Sequence, residues 1–280
     1  MKTNLMSNRS LVSIIIPVFN NQSTVEETVA SALAQDYDNL EIILVNDGST
    51  DNTQKILEKL SDQHENIQLY NKSNEGVSAS RNYGFRRSHG KYVVFLDADD
   101  LLVDTFVSEC AYVMDNQRTL SVVYTQVQFF ERQSGIFKLP KLDFQRLLSG
   151  NCLTVTAMIR AEMFESVNMY DEKLNYVEDW EFWIRLLHKY PYFQKIEKPL
   201  FLYRRRNSQD SATDLNEKNE SFIDASLYVY RKHYDLYKNH GLTMDVLLDK
   251  VNEASLYKRK YYNTWYRRLF YLVKRSFKRK

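Results

Sequence analysis

Residues 12–18 read Val12-Ser13-Ile14-Ile15-Ile16-Pro17-Val18, and residues 41–46 read Glu41-Ile42-Ile43-Leu44-Val45-Asn46. Both are short, nearly continuous apolar runs rich in β-branched residues, the pattern of strands covered on both faces. Between them, Ser23-Thr24 followed by Glu26-Glu27 starts a helix over 25–34. The alternation continues with helix 51–60, strand 67–71, helix 77–88 and strand 92–96. Four strands separated by helices predict right-handed crossovers and a parallel sheet. Ligands of such sheets bind beyond the carboxyl ends of the strands. That rule selects residues 17–20, 46–51 and 97–100. Downstream the pattern loosens: helix 103–117, strand 120–130 with a turn at 132–135, strand 154–159, helix 179–188 and strand 196–203, then an aromatic-rich helical region from 215.

Composition narrows the possibilities. The chain has 280 residues, 44% hydrophobic and 26% charged, so a packed core is expected and wholesale disorder is not. Two cysteines, Cys110 and Cys152, make no disulfide framework. No run approaches the roughly 18 apolar residues of a membrane span, and the first apolar stretch is too short for a signal peptide, so a soluble, cytoplasmic protein is expected. No phosphate-loop or G-x-G-x-x-G pattern occurs among the seven glycines. No zinc spacing links His64, His89, His188, His233, His240 and the cysteines.

The strongest local signal is Phe95-Leu96-Asp97-Ala98-Asp99-Asp100, three carboxylates in four positions at a strand end. Their repulsion favours a cation between them, and a small set of oxygen ligands suits Mg²⁺ or Mn²⁺. The same residues also read as a solvated turn in which Asp100 caps the helix at 103. Val45-Asn46-Asp47-Gly48-Ser49-Thr50-Asp51 reads either as a turn plus helix cap or as a buried Asp47 able to accept from a nucleobase imide. Pro17-Val18-Phe19-Asn20 offers the Phe19 face for stacking, and Arg81 offers a fork of donors to phosphate.

In this order and spacing, Pro17-Val18-Phe19-Asn20, Asn46-Asp47-Gly48-Ser49-Thr50-Asp51, Ser80-Arg81-Asn82 and Leu96-Asp97-Ala98-Asp99-Asp100 resemble the family 2 glycosyltransferases of GT-A fold, over roughly residues 10–207. The resemblance implies an α/β catalytic domain over 1–214, a Rossmann-like mixed sheet flanked by helices. Its halves are a nucleotide-binding 10–100 and an acceptor-binding 101–214, and a helical extension follows over 215–280. It implies an inverting enzyme that moves one sugar from a nucleotide donor, most often a UDP-sugar, to a glycan or lipid-linked acceptor. Carried over, Phe19 and Asp47 hold the uracil beside Pro17 and Asn20, Arg81 lies near the uracil or pyrophosphate, and Asp97 contacts the ribose. Ala98 follows, and Asp99 binds Mn²⁺ or Mg²⁺ on the diphosphate.

Val177-Glu178-Asp179-Trp180-Glu181 matches the family's Glu-Asp motif, which implies Asp179 as general base with Glu178 and Trp180 on the acceptor side. Read from the residues alone, Asp179 also suits a helix N-cap. The segment Tyr203-Arg204-Arg205-Arg206-Asn207-Ser208 departs from the family's usual Tyr-Arg-x-His. Arg206 stands at the histidine position, where it cannot ligate a metal but can pair with diphosphate. No Gln-x-x-Arg-Trp motif is present, which favours single addition over processive synthesis. Two alternatives are a nucleotidyltransferase acting on sugar phosphates, whose Gly-rich loop is missing, and a catalytically silent membrane-associated partner subunit.

Residues 258–280 hold ten basic residues and no acid, and the rest of the chain carries a net charge of −8. On a helical wheel, Tyr261, Trp265, Leu269 and Phe277 share one half with other apolar residues, and Arg267, Arg268, Lys274 and Arg275 occupy the other. Such a helix suits an anionic membrane surface, and the absence of base-reading motifs sets nucleic acid aside. With the resemblance, this implies peripheral attachment at the cytoplasmic face and a bacterial capsule or exopolysaccharide pathway. Deleting residues 261–280 is expected to release the protein from anionic liposomes in a flotation assay, and unchanged retention refutes the membrane reading.

Overall fold

The computed structural model describes residues 9–206 and 221–246; the basic segment at 258–280 lies outside the described residues. The first half is built as the apolar pattern predicts. Strands β1 (Val12–Val18), β2 (Leu40–Asp47), β3 (Ile67–Lys72) and β4 (Tyr92–Phe95) alternate with helices α1 (Val25–Leu33), α2 (Thr53–Gln63) and α3 (Val77–Phe85). The four strands are parallel in the order β3-β2-β1-β4, with Val12 opposite Leu40 on one side and Tyr92 on the other.

Both faces of β1 are covered, and period-2 geometry decides which residue meets which helix. Val12, Ile14, Ile16 and Val18 join Ile42, Leu44 and Val94 in one core with Val25 and Val29 of α1 and Leu57 of α2. The odd-numbered residues face α3. There Gly84 lets the helix approach so closely that a Cβ would stand 2.6 Å from Ile15 Cγ2 and 3.1 Å from Val45 Cγ2. On the same side Phe85, Phe95, Phe164 and Phe182 form a ring cluster with centroids 4.6 to 5.0 Å apart.

The second half is mixed. The two-residue β5 (Leu101–Leu102) is followed by α4 (Phe106–Asn116), β6 (Val122–Glu131), β7 (Gly135–Phe137) and α5 (Phe144–Ser149). Then come β8 (Met158–Arg160), α6 (Ala161–Ser166), α7 (Glu178–Lys189) and β9 (Phe193–Arg205). The sheet continues from β4 as β8-β6-β9-β5, with β7 on β6. Here β8 is antiparallel to β4 and β6, and β9 is parallel to β6. The register of β6 with β9 slips around Gln126, which stands opposite Pro199, a residue with no N–H to give the ladder.

Two expected elements shift for physical reasons. The helix expected from 103 begins at Phe106, because Leu101 and Leu102 pair with Leu202 and Phe201 of β9. The strand expected over 154–159 shrinks to Met158–Arg160, and residues 150–157 form a loop. Beyond residue 220 run α8 (Ser221–Lys232) and α9 (Tyr234–Asn239). The chain divides into two compact units within α8, at Ser226/Leu227. In the second unit Tyr230 packs on Tyr237 at 4.8 Å. Among the described residues no helix is long and apolar enough to cross a membrane.

The seat of α3 on the sheet gives a stability test. Gly84→Ala drives a methyl into Ile15 and Val45, and is expected to cost about 1–3 kcal/mol, as overpacking does, read as a lower urea midpoint with unchanged slope.

Candidate active site

Strand order reverses between β1 and β4, since the chain runs outward to β2 and β3 before returning. This is where a doubly wound sheet opens a crevice. The crevice has a volume of about 1480 Å³. It gathers Pro17, Phe19, Asn20, Asp47, Arg81, Asp97, Ala98, Asp99, Glu178, Asp179 and Arg206 from six separate segments. Trp180 does not join them: its indole N–H donates to the Leu147 carbonyl of α5 at 2.6 Å.

At the rim Phe19 is 45% exposed, which leaves a ring face for stacking. Asn20 ties the first loop to the second, its side-chain oxygen accepting from the Thr50 N–H at 2.8 Å and its own N–H donating to Ser49 Oγ at 3.0 Å. Asp47 is buried at the end of β2. Its carboxylate accepts from Lys72 Nζ at 2.7 Å and from the N–H groups of Glu75 and Gly76 at 3.0 and 2.9 Å. Gly76, with φ 93, adopts the left-handed backbone that lets the loop turn into α3. Asp47 thus holds the loop that launches the helix carrying Arg81.

Arg81 is a fully buried cation in the site. Its guanidinium donates to Asp97 at 2.6 Å and to Glu178 at 2.7 Å, and lies 5.4 Å from the Tyr170 ring. It therefore joins the acidic turn after β4 to the first turn of α7, its contact with Glu178 spanning 97 residues of sequence. Asp99 accepts from Arg206 through Oδ2, at 2.9 Å from Nε and 2.8 Å from Nη2. Burial raises the Asp99 pKa, and Arg206 opposes the rise. Asp100 does not cap a helix. Its Oδ1 accepts from the Arg204 N–H at 2.8 Å, and burial beside Asp99 and Asp97 pushes its pKa well up. The Arg204 side chain reaches the Asp99 carbonyl at 2.6 Å, Glu131 at 3.1 Å, and Glu27.

Asp179 sits in the first turn of α7, whose N-cap is Val177, so the capping alternative is set aside. Val177 holds φ 54 and ψ 20, a left-handed conformation unusual for a β-branched residue. Such strain costs on the order of 1–3 kcal/mol and is retained where the surroundings over-determine it. Oδ1 of Asp179 accepts from the Trp180 N–H at 2.7 Å and Oδ2 from the Asn151 side-chain amide at 2.8 Å. Burial, and then the neighbouring Glu178 carboxylate, raise the Asp179 pKa to about 7, against the pull of Arg81 and these two hydrogen bonds. A carboxylate tuned to neutrality in a crevice is suited to take a proton.

Another part of the crevice wall is aromatic. Phe129 stacks on Phe137 at 4.8 Å, and Phe137 on Tyr203 at 6.5 Å. Asn151 and this wall escape a sequence reading, because no motif surrounds Asn151 and the wall is made by strand pairing. For a divalent ion, no group of three His, Cys, Asp or Glu converges among the described residues. Asp99 engages Arg206 through one oxygen only. One carboxylate is a donor set that fits Mg²⁺ or Mn²⁺, which keep several waters and take the remaining oxygens from substrate phosphates.

Comparison with known proteins agrees with this geometry. The family model described as Glycosyl transferase family 2 matches residues 13–167. An uncharacterized glycosyltransferase of Rickettsia typhi is 31% identical over 79% of this chain and 71% of its own length. The minor teichoic acid biosynthesis protein GgaB of Bacillus subtilis is 27% identical over 84% of this chain, which spans 28% of GgaB. Among solved structures, residues 1–349 of S. aureus TarS in complex with UDP-GlcNAc superpose with a TM-score of 0.67 at 20% identity, over 78% of this chain and 65% of that one. The same fragment with UDP gives a TM-score of 0.60 at 21% identity, over 74% and 62%. These structures share the fold: a mixed sheet flanked by helices. The chain belongs to glycosyl transferase family 2 and is a glycosyltransferase.

Proposed function

We propose that this protein transfers a single sugar, with inversion, from a UDP-sugar to a hydroxyl of a glycan or lipid-linked acceptor of the bacterial surface. The observation that carries the reading is Asp179: a carboxylate with its pKa near 7 in the crevice that also holds Asp97, Asp99 and the exposed Phe19 ring. TarS complexes with UDP and UDP-GlcNAc support the donor class, and the name of GgaB supports a surface polymer as acceptor.

In the proposed reaction Asp179 accepts the proton of the acceptor hydroxyl as its oxygen bonds to the anomeric carbon. The bond from that carbon to the diphosphate oxygen breaks on the opposite face, and UDP leaves with the electron pair. Phe19 and Asp47 hold the uracil end and Asp97 the ribose. Arg206 brings positive charge toward the leaving diphosphate by way of Asp99. A divalent ion held by Asp99 would supply Lewis-acid stabilisation of the same charge.

Two measurements test this. Calorimetric titration of UDP is expected to show binding that strengthens with Mn²⁺ and loses that dependence in Asp99→Ala; no binding under any condition refutes the donor assignment. Asp179→Asn is expected to keep UDP affinity within about twofold and lose transfer by at least 100-fold, the scale of a missing general base. The same substitution has a stability signature. A folded pKa above the unfolded carboxylate value gives stability that is complete below about pH 4 and is lost as pH rises through about 7. Asp179→Asn is therefore expected to stabilise the protein by about 2 kcal/mol at pH 8, discounted for solvent contact, and to leave it unchanged at pH 4.

A further inference from the structure

The loop at 150–157 takes in the first part of the strand expected over 154–159, and Asn151, just ahead of that stretch, is the residue through which the loop meets Asp179. Its side-chain oxygen accepts from the Leu153 N–H at 3.2 Å, which fixes the amide so that Nδ2 faces Asp179. Nδ2 donates to Asp179 Oδ2 at 2.8 Å, and the Trp180 N–H donates to Oδ1 at 2.7 Å. Each carboxylate oxygen is thus anchored once, leaving one lone pair on each for an incoming hydroxyl.

We infer that Asn151 is a positioning residue for proton transfer: its amide orients the Asp179 carboxylate and holds it in the ionised, proton-accepting form. The inference rests on the reading of Asp179 as the base. The charged and titratable groups around Asp179 come from its own helix and from three other segments. Glu178 precedes it on α7, Arg81 reaches in from α3, and the Tyr170 hydroxyl and Asp97 belong to the same electrostatic cluster. Glu178 disfavours the charged form of Asp179, while Arg81 is shared with Asp97 and Glu178. Asn151 is the neutral donor given to Asp179 by a side chain, and a hydrogen bond to the charged form lowers a pKa. A purely architectural asparagine would satisfy backbone groups and leave the carboxylate's titration alone.

The test uses the full chain and two variants, Asn151→Ala, which removes the donor, and the isosteric Asn151→Asp, which removes it while preserving volume. Infrared pH-difference spectra follow the carboxylic C=O band that is missing from Asp179→Asn, so the readout needs no acceptor. The midpoint of that band is expected to rise by about one pH unit in Asn151→Ala, and further in Asn151→Asp, where two carboxylates share the site. UDP affinity by calorimetry is expected to stay within about twofold of the parent, because the donor residues are untouched. Release of UDP from UDP-GlcNAc at pH 6.5 is expected to fall by about tenfold in Asn151→Ala and to recover as pH rises past 8. An unmoved midpoint in both variants, with Asp179→Asn inactive, overturns the role of Asn151 and leaves the base standing. UDP release at the parent rate by Asp179→Asn overturns the base assignment, and the inference with it.

Discussion

The Arg81 guanidinium is a positive charge that the acidic turn after β4 and the first turn of α7 share. Without it, Asp97, Glu178 and Asp179 would face one another in a partly dehydrated crevice, an arrangement carboxylates resolve by moving apart or taking up protons. With it, they converge. Its own place comes from packing: α3 lies against Ile15 and Val45 because Gly84 has no side chain, and the helix begins where Asp47 gathers the N–H groups of Glu75 and Gly76. The site's electrostatics are therefore set by van der Waals contact one turn further along the same helix.

The same ordering of causes explains the acidity of the carboxyl groups. Asp100 is fully enclosed, with a backbone N–H as its main direct partner, and its pKa is pushed well up. Burial raises Asp99 as well, and Arg206 opposes the rise. Asp179 settles near neutrality, between the push of burial and Glu178 and the pull of Arg81 and two hydrogen-bond donors. Neighbouring acids thus differ in acidity because different groups face them.

Sequence legibility follows the range of the interaction. The parallel strands were readable because burial on both faces leaves continuous apolar runs, and β1 and β2 lie within a residue of their expected bounds. The acidic turn and the Glu-Asp pair were readable because their chemistry is concentrated in adjacent residues. Leu101–Leu102 was hidden because two leucines acquire strand character only from β9, and residues 154–157 read as strand because local β-propensity ignores the loop's attachment to Asp179 through Asn151. The second partner of Arg81 was beyond reach for the same reason, since nothing near residue 81 announces a residue 97 positions away.

The end of β9 has a temporal consequence. Asp99 and Asp100 leave the ribosome early, with four parallel strands able to pair behind them, but their partners Arg204 and Arg206 follow more than a hundred residues later. During synthesis Asp99 and Asp100 thus stand for a period without these partners, while Arg81 is already available to Asp97. These contacts close only when the end of β9 and Arg206 emerge, and a nascent or truncated chain ending before residue 204 carries the acidic motif without its two arginine partners.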